Sequence, residues 1–121
     1  MKKLLWYLPA IAWAGMIFVL SSRPVLGGTG IFLLSDFILK KIAHIAVFGM
    51  LFFWLLVGRS QGFRLYLTYK QQAVLMLIVL AYAFFDELHQ SFTPGRVSSA
   101  RDVGYDFLGA GLIFLRVNRY I

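Results

Sequence analysis

The sequence predicts an all-α fold, an integral membrane bundle of four transmembrane helices, and three observations predict it. Four apolar runs follow one another with short connections, each near the roughly 20 residues that cross a bilayer core of about 30 Å. Of the 121 residues, 60% are hydrophobic and only 14% charged, far from a soluble mixture. The basic residues stand in the connections, where they act as topology determinants beside anionic lipid. One domain spanning residues 1–121 is expected.

The first span is expected from Leu4 to Leu20, after Lys2 and Lys3. Its apolar stretch is too long for a signal peptide and no small-x-small cleavage site follows, so it reads as uncleaved. Trp6, Tyr7 and Trp13 are its interfacial or packing aromatics, and Pro9 in its first turns predicts at most a mild kink. Pro24, Gly27, Gly28 and Gly30 then mark a loop from Ser21 to Asp36, with apolar Ile31 to Leu34 expected to dip onto the membrane surface.

The second span is expected from about Asp36 or Ile38 to Val57, ended by Gly58-Arg59, and a polar connection runs from Arg59 to Gln72. The third, from about Gln72 to Ser91, is stopped by Thr93-Pro94-Gly95. The fourth ends near Val117 and opens at Asp102, with Asp102 or Ser99 as N-cap. The aromatics Phe48, Phe52, Phe53 and Trp54 read as core or lipid-facing, and Gly104, Gly109 and Gly111 as packing residues.

Four spans put both termini on one side. That side carries Lys2, Lys3, Arg59, Arg64, Lys70, Arg116 and Arg119, against Arg23, Lys40, Lys41, Arg96 and Arg101 opposite, so cytoplasmic termini are expected. All five acidic residues and both histidines fall on the opposite side. The net charge of +7 therefore resides at the terminal side, and it reads as topology, with no nucleic-acid partner expected.

The stretch Asp86 to Asp106 holds four of the five acids, Asp86, Glu87, Asp102 and Asp106, together with His89, Arg96 and Arg101. Ionisable residues in or beside spans are costly, which makes this pole a functional candidate. Asp86, His89 and Gln90 share a helix face at i, i+3 and i+4, with Tyr82 one turn earlier and Glu87 about 100° away. Asp102, Asp106 and Gly109 share a face of span four, and Lys41 and His44 are one turn apart on span two. Alternating helices bring these segments to one depth.

The candidate polar or ligand site is thus Lys41, His44, Asp86, Glu87, His89, Gln90, Arg96, Asp102 and Asp106. So many carboxylates at low dielectric need cationic partners, a metal or protonation. The expected pairs are Asp102 with Arg96 or Arg101 and Asp86 with Lys41. A structural reading stands beside the functional one: the arginines serve only to hold the hairpin of spans three and four, and His44 makes a helix–helix hydrogen bond. Asp86-x-x-His89 has metal-pair spacing without a second pair, and cysteine is absent, so no metal and no cofactor is expected.

Several motifs together resemble the VanZ-like family. They are Ser21-Ser22-x-Pro24, Lys41-x-x-His44, Asp86-Glu87-x-x-Gln90-x-Phe92-x-Pro94-Gly95-Arg96, and Asp102 with Gly109. Asp106 departs from the family, which often has Asn there. The resemblance implies a small multi-pass protein of the bacterial cytoplasmic membrane, linked to the cell envelope and, through the family's founder, to resistance against the glycopeptide teicoplanin. It implies no catalytic residue.

The residues themselves support two classes of function. The first expectation is an outward-facing pocket that binds a membrane lipid or lipid-linked envelope precursor, with Arg96 holding an anionic group. The alternative is a membrane enzyme with His44 or His89 as general base and a carboxylate as its orienting partner, acting on a lipid-linked phosphate or ester. A structural partner of another membrane protein is a third reading.

Overall fold

The computed structural model describes the backbone of residues 2–21, 33–65, 67–92 and 100–121, and side chains within 3–20, 41–65, 67–92 and 103–121. The helices are α1 (Lys2–Leu5), α2 (Leu8–Ser21), α3 (Leu33–Ser60), α4 (Tyr69–Ser91) and α5 (Ala100–Val117), with no strand among the described residues. The glycine-rich loop, Thr93-Pro94-Gly95, Ser99 and the side chains of Arg96, Arg101 and Asp102 lie outside the described residues, and with them the expected pairing of Asp102.

The first apolar run is broken at Trp6 and Tyr7. Pro9 is the reason. It has no N–H to offer the Leu5 carbonyl four residues back, so α1 ends at Leu5. Hydrogen bonds from Tyr7 N to Leu4 O (3.0 Å) and from Ile11 N to Tyr7 O (2.9 Å) carry the chain across the break.

Helix α3 is longer than the pattern suggests, at 28 residues. Leu33 and Leu34, expected in the loop, belong to it. Gly58-Arg59 does not end it. Gly58 is buried within the helix, where an added Cβ would lie 2.5 Å from the Tyr7 ring, so its missing side chain makes room for Tyr7. The stop comes at Gln61, whose φ of 56° lets Gly62 N bond Val57 O (3.2 Å) and Gln61 N bond Gly58 O (3.4 Å). This is a Schellman cap with glutamine in the left-handed position. α5 ends the same way: Arg119 has φ 63°, and Tyr120 N reaches Leu115 O at 2.9 Å.

The connection before α4 is shorter than expected, because α4 opens at Tyr69. Thr68 caps it: its hydroxyl accepts from Gln71 N (3.2 Å), and the Gln71 side chain accepts from Thr68 N (3.0 Å). That reciprocal pair satisfies two amides with no intrahelical partner. Asp102, by contrast, is the third residue of α5 and not its N-cap.

The four long helices alternate in direction. Phe48 of α3 meets Tyr82 of α4, while Gln72 and Tyr69 of α4 meet Asn118 and Phe114 of α5. Trp13 of α2 donates to the Val47 carbonyl of α3 at 2.8 Å. The core between them is Ile17, Phe48, Leu51, Phe52, Leu56, Leu75, Val79, Ala83, Val103 and Ala110.

The most extensive contact joins α3 and α5, which run parallel. Glycines make it possible. A Cβ on Gly109 would overlap the Ile45 carbonyl oxygen and lie 3.0 Å from Gly49 N, and one on Gly49 would lie 2.9 Å from Gly109 O. The two backbones touch, as small residues allow. Gly104 and Gly111 have no such role, since a Cβ on either meets nothing within 4 Å.

Large apolar side chains also cover the outside: Ile11 is 64% exposed, Leu77 64% and Phe84 58%. A bundle apolar within and without suits a hydrocarbon surround. Among the described residues, three stretches are long and apolar enough to cross a membrane: Lys3–Leu20, Lys41–Ser60 and Tyr69–Ser91. α5 is more polar, its 18 residues including Arg101, Asp102, Asp106 and Arg116. Three of the four expected spans are thus apolar helices of membrane-crossing length, and the fourth helix is amphipathic.

Candidate functional site

Opposite helix directions bring the end of α2, the start of α3, the end of α4 and the start of α5 to one pole, and the sequence-predicted site residues that are described gather there. A short link between helices at this pole is His44 Nδ1 to Asp106 Oδ1, 2.7 Å. Asp106 is buried to 1% exposure, whereas the His44 side chain keeps 20%. An ionised carboxylate can only accept, so Nδ1 is then the donor and the neutral ring carries its lone pair on Nε2. The length is that of a charge-assisted bond. The glycine crossing one turn further along explains the approach: Ile45 follows His44, and Gly109 lies three residues after Asp106.

On α4, Asp86 (3% exposed), Glu87 (8%) and Gln90 (4%) are all buried. Gln90 Nε2 donates to Asp86 Oδ2 at 3.0 Å, an i, i+4 pair on the predicted face. Lys41 Nζ stands 5.0 Å over the Tyr105 ring of α5, a cation–π contact of ordinary length. His89 stacks its ring on Phe18 of α2 at 4.6 Å, with Phe85 close by. A chain of rings, His44 to Phe48 (6.3 Å) and Phe48 to Tyr82 (6.1 Å), joins the α3 side of the pole to α4. Tyr82 Oη donates to the Ala14 carbonyl at 2.5 Å, so α2 is tied in as well.

The structure therefore brings Lys41, His44 and Asp106 together between α3 and α5, and Asp86, Glu87 and Gln90 on the buried side of α4. The expectation that His44 bridges helices is met, with Asp106 as the acceptor. Tyr105, Phe18 and the Tyr82–Ala14 bond were not read from the sequence. Tyr105 had a legible signal, an aromatic beside Asp106 at the depth of Lys41. Among the described residues, no three His, Cys, Asp or Glu side chains are grouped so as to hold a metal ion.

A second polar cluster, not foreseen, lies at the other pole. Gln72 and Asn118 exchange two amide hydrogen bonds, 3.1 Å and 2.7 Å, although Gln72 is only 1% exposed. Gln72 also donates to Leu67 O (3.0 Å) and Asn118 to Phe114 O (2.8 Å). Tyr69 and Tyr120 hydroxyls meet at 3.1 Å beside them. The signal was uncharged amides at the start of α4 and just past the end of α5, which alternating helices place at one depth.

No curated protein and no solved structure matches this chain. A family model described as VanZ/LLP1 matches residues 5–118, nearly the whole chain. The chain belongs to the VanZ/LLP1 family.

Proposed function

We propose that this chain is a four-helix protein of the bacterial cytoplasmic membrane whose acidic pole faces outward and binds the headgroup of an envelope lipid or glycolipid. The observation that carries this reading is the burial of Asp86, Glu87, Gln90 and Asp106 at one end of an otherwise apolar bundle. Carboxylate and amide oxygens accept from sugar hydroxyls and ammonium groups. Lys41 and Arg96 supply cations for a phosphate, and the apolar outer walls suit the chains of the same molecule. Such a ligand on the outer face is also what a role in glycopeptide resistance would require.

The test is photo-crosslinking with a lipid-linked sugar phosphate probe in membranes. Wild type should label, and Lys41→Ala and Arg96→Ala should each lose most of the label while their melting curves stay intact. Full labelling of both folded variants overturns the reading. Orientation is checked in the same cells with an impermeant thiol reagent, since the chain has no native cysteine. Cysteines at Gly28 or Ser98 should react from outside, and those at Ser60 or Gln71 should not.

One observation favours a second reading, a membrane enzyme. In the His44–Asp106 pair a buried carboxylate orients an imidazole, as in a general-base dyad. Turnover of lipid phosphates or esters by the purified protein, abolished in His44→Ala, would favour it over binding alone.

A further inference from the structure

The basic pole, which the proposed headgroup site does not use, holds a cavity of about 450 Å³ between α3, α5 and the connection that follows α3. It is lined by Phe53, Leu65, Ile113, Arg116, Val117 and Arg119. Four apolar side chains and two arginines in one concavity form an amphiphilic lining. We propose that it holds an anionic membrane phospholipid, with the phosphodiester at Arg116 and Arg119 and an acyl chain along Phe53, Leu65, Ile113 and Val117.

Three features support this occupant. Both arginines are exposed at the mouth, and the left-handed cap at Arg119 turns the chain back so that both line one cavity, with Arg116 Nη1 donating to Ile121 O at 3.2 Å and the rest of its guanidinium facing the cavity mouth. A planar guanidinium pair suits phosphate oxygens. Next, Leu65 takes φ 58°, an uncommon conformation for leucine, yet its side chain packs against the core and forms part of the wall. Outside the two helix caps, it is the described non-glycine residue with positive φ, and it sits in this lining. Finally, the charge is one-sided. Arg59, Arg64 and Lys70 lie at the same pole, while the described acids Asp86, Glu87 and Asp106 lie at the other. A basic pocket between helices at one membrane face is a common seat for anionic headgroups.

The inference is independent of the headgroup site, because no residue is shared. The experiment is native mass spectrometry of the full chain released from detergent, with phosphatidylglycerol, phosphatidylcholine or glycerol phosphate added. Each basic residue beside anionic lipid contributes about a fivefold factor in affinity. Phosphatidylglycerol should therefore remain bound at least about fivefold more than phosphatidylcholine. Arg119→Asn keeps a residue that tolerates the left-handed cap and should lower that retention about fivefold, with further loss in Arg116→Ala/Arg119→Asn. Lys70→Ala, basic and at the same pole but outside the lining, should lower it clearly less than Arg119→Asn. Equal retention of the two lipids overturns the proposal. So does a loss in Lys70→Ala as large as in Arg119→Asn, which would mean diffuse surface charge. Glycerol phosphate competing as well as the intact lipid would remove the acyl seat. Circular dichroism melts of each variant separate lost binding from lost fold.

Discussion

Gly109→Ala is the sharpest perturbation of the α3–α5 pair. The new methyl would overlap the Ile45 carbonyl oxygen and stand 2.8 Å from its carbon and 3.0 Å from Gly49 N. Those are backbone atoms of a buried helix and cannot rotate away. Ordinary contact needs about 3.5–4.0 Å, so the overlap with the Ile45 oxygen obliges the helices to part by well over about 1 Å here. The His44–Asp106 bond, 2.7 Å and one turn away, would then pass the roughly 3.5 Å beyond which no hydrogen bond remains. Overpacking costs about 1–3 kcal/mol, and an interhelical hydrogen bond in a membrane protein about 0.6–1.7 kcal/mol. The expected loss is therefore about 2–4 kcal/mol. Gly104→Ala and Gly111→Ala meet open space and should gain up to about 1 kcal/mol from helix propensity. Reversible unfolding in mixed micelles, followed by circular dichroism, gives all three values. If Gly109→Ala is as stable as Gly104→Ala, the backbone contact does not hold the two helices and the argument for the site's geometry falls with it.

Two further outcomes are expected from the same assay. His44→Ala, which removes the Nδ1 donor to buried Asp106, should cost about 1–3 kcal/mol, whereas Asp106→Asn keeps an acceptor for Nδ1 and should cost under about 1 kcal/mol. Comparable losses for the two would mean that the carboxylate's charge, and not its hydrogen bond, is what the site needs. At the other pole, Gln72→Ala and Asn118→Ala each deprive the remaining amide of its partner and should cost about 1–3 kcal/mol. The double variant should cost clearly less than the two together, because the bond is shared. Strict additivity would refute the paired amides.

Much of this arrangement is written locally. The apolar runs define the helices, and alternation of direction alone predicts that His44, Asp86 and Asp106 share a pole. Pro9 is a readable break, given the carbonyl it leaves without a donor. Thr68-x-x-Gln71 is a readable capping box, and it outweighs the polar composition that suggests a later start for α4. What the sequence does not carry is which helices touch. The pairing of His44 with Asp106 spans 62 positions and depends on a crossing of two glycines whose mutual approach is a three-dimensional fact. Gly58 shows the same limit. Beside Arg59 it reads as a helix stop, and only the Tyr7 ring lying against it reveals a packing role. The Gln61 and Arg119 caps were hidden for another reason, since neither is the glycine that left-handed positions favour.

The length of α3 has a consequence for how a ligand would meet the acidic pole. From Lys41, the second of two adjacent lysines, to Ser60 the helix has 20 residues, about 30 Å at roughly 1.5 Å per residue, which matches the thickness of a hydrocarbon core. The helix itself has 28 residues and ends at the same Ser60, so eight residues (28 less 20) continue beyond Lys41 for about 12 Å. With Lys41 at the hydrocarbon edge, those two turns stand in the headgroup layer like a post beside the pole. His44, three residues inward, lies about 4–5 Å below that edge. A molecule anchored in the bilayer could slide sideways to this depth, but a water-soluble one would have to descend past the post. The helix thus ranks visitors by how they travel before any side chain reads their chemistry.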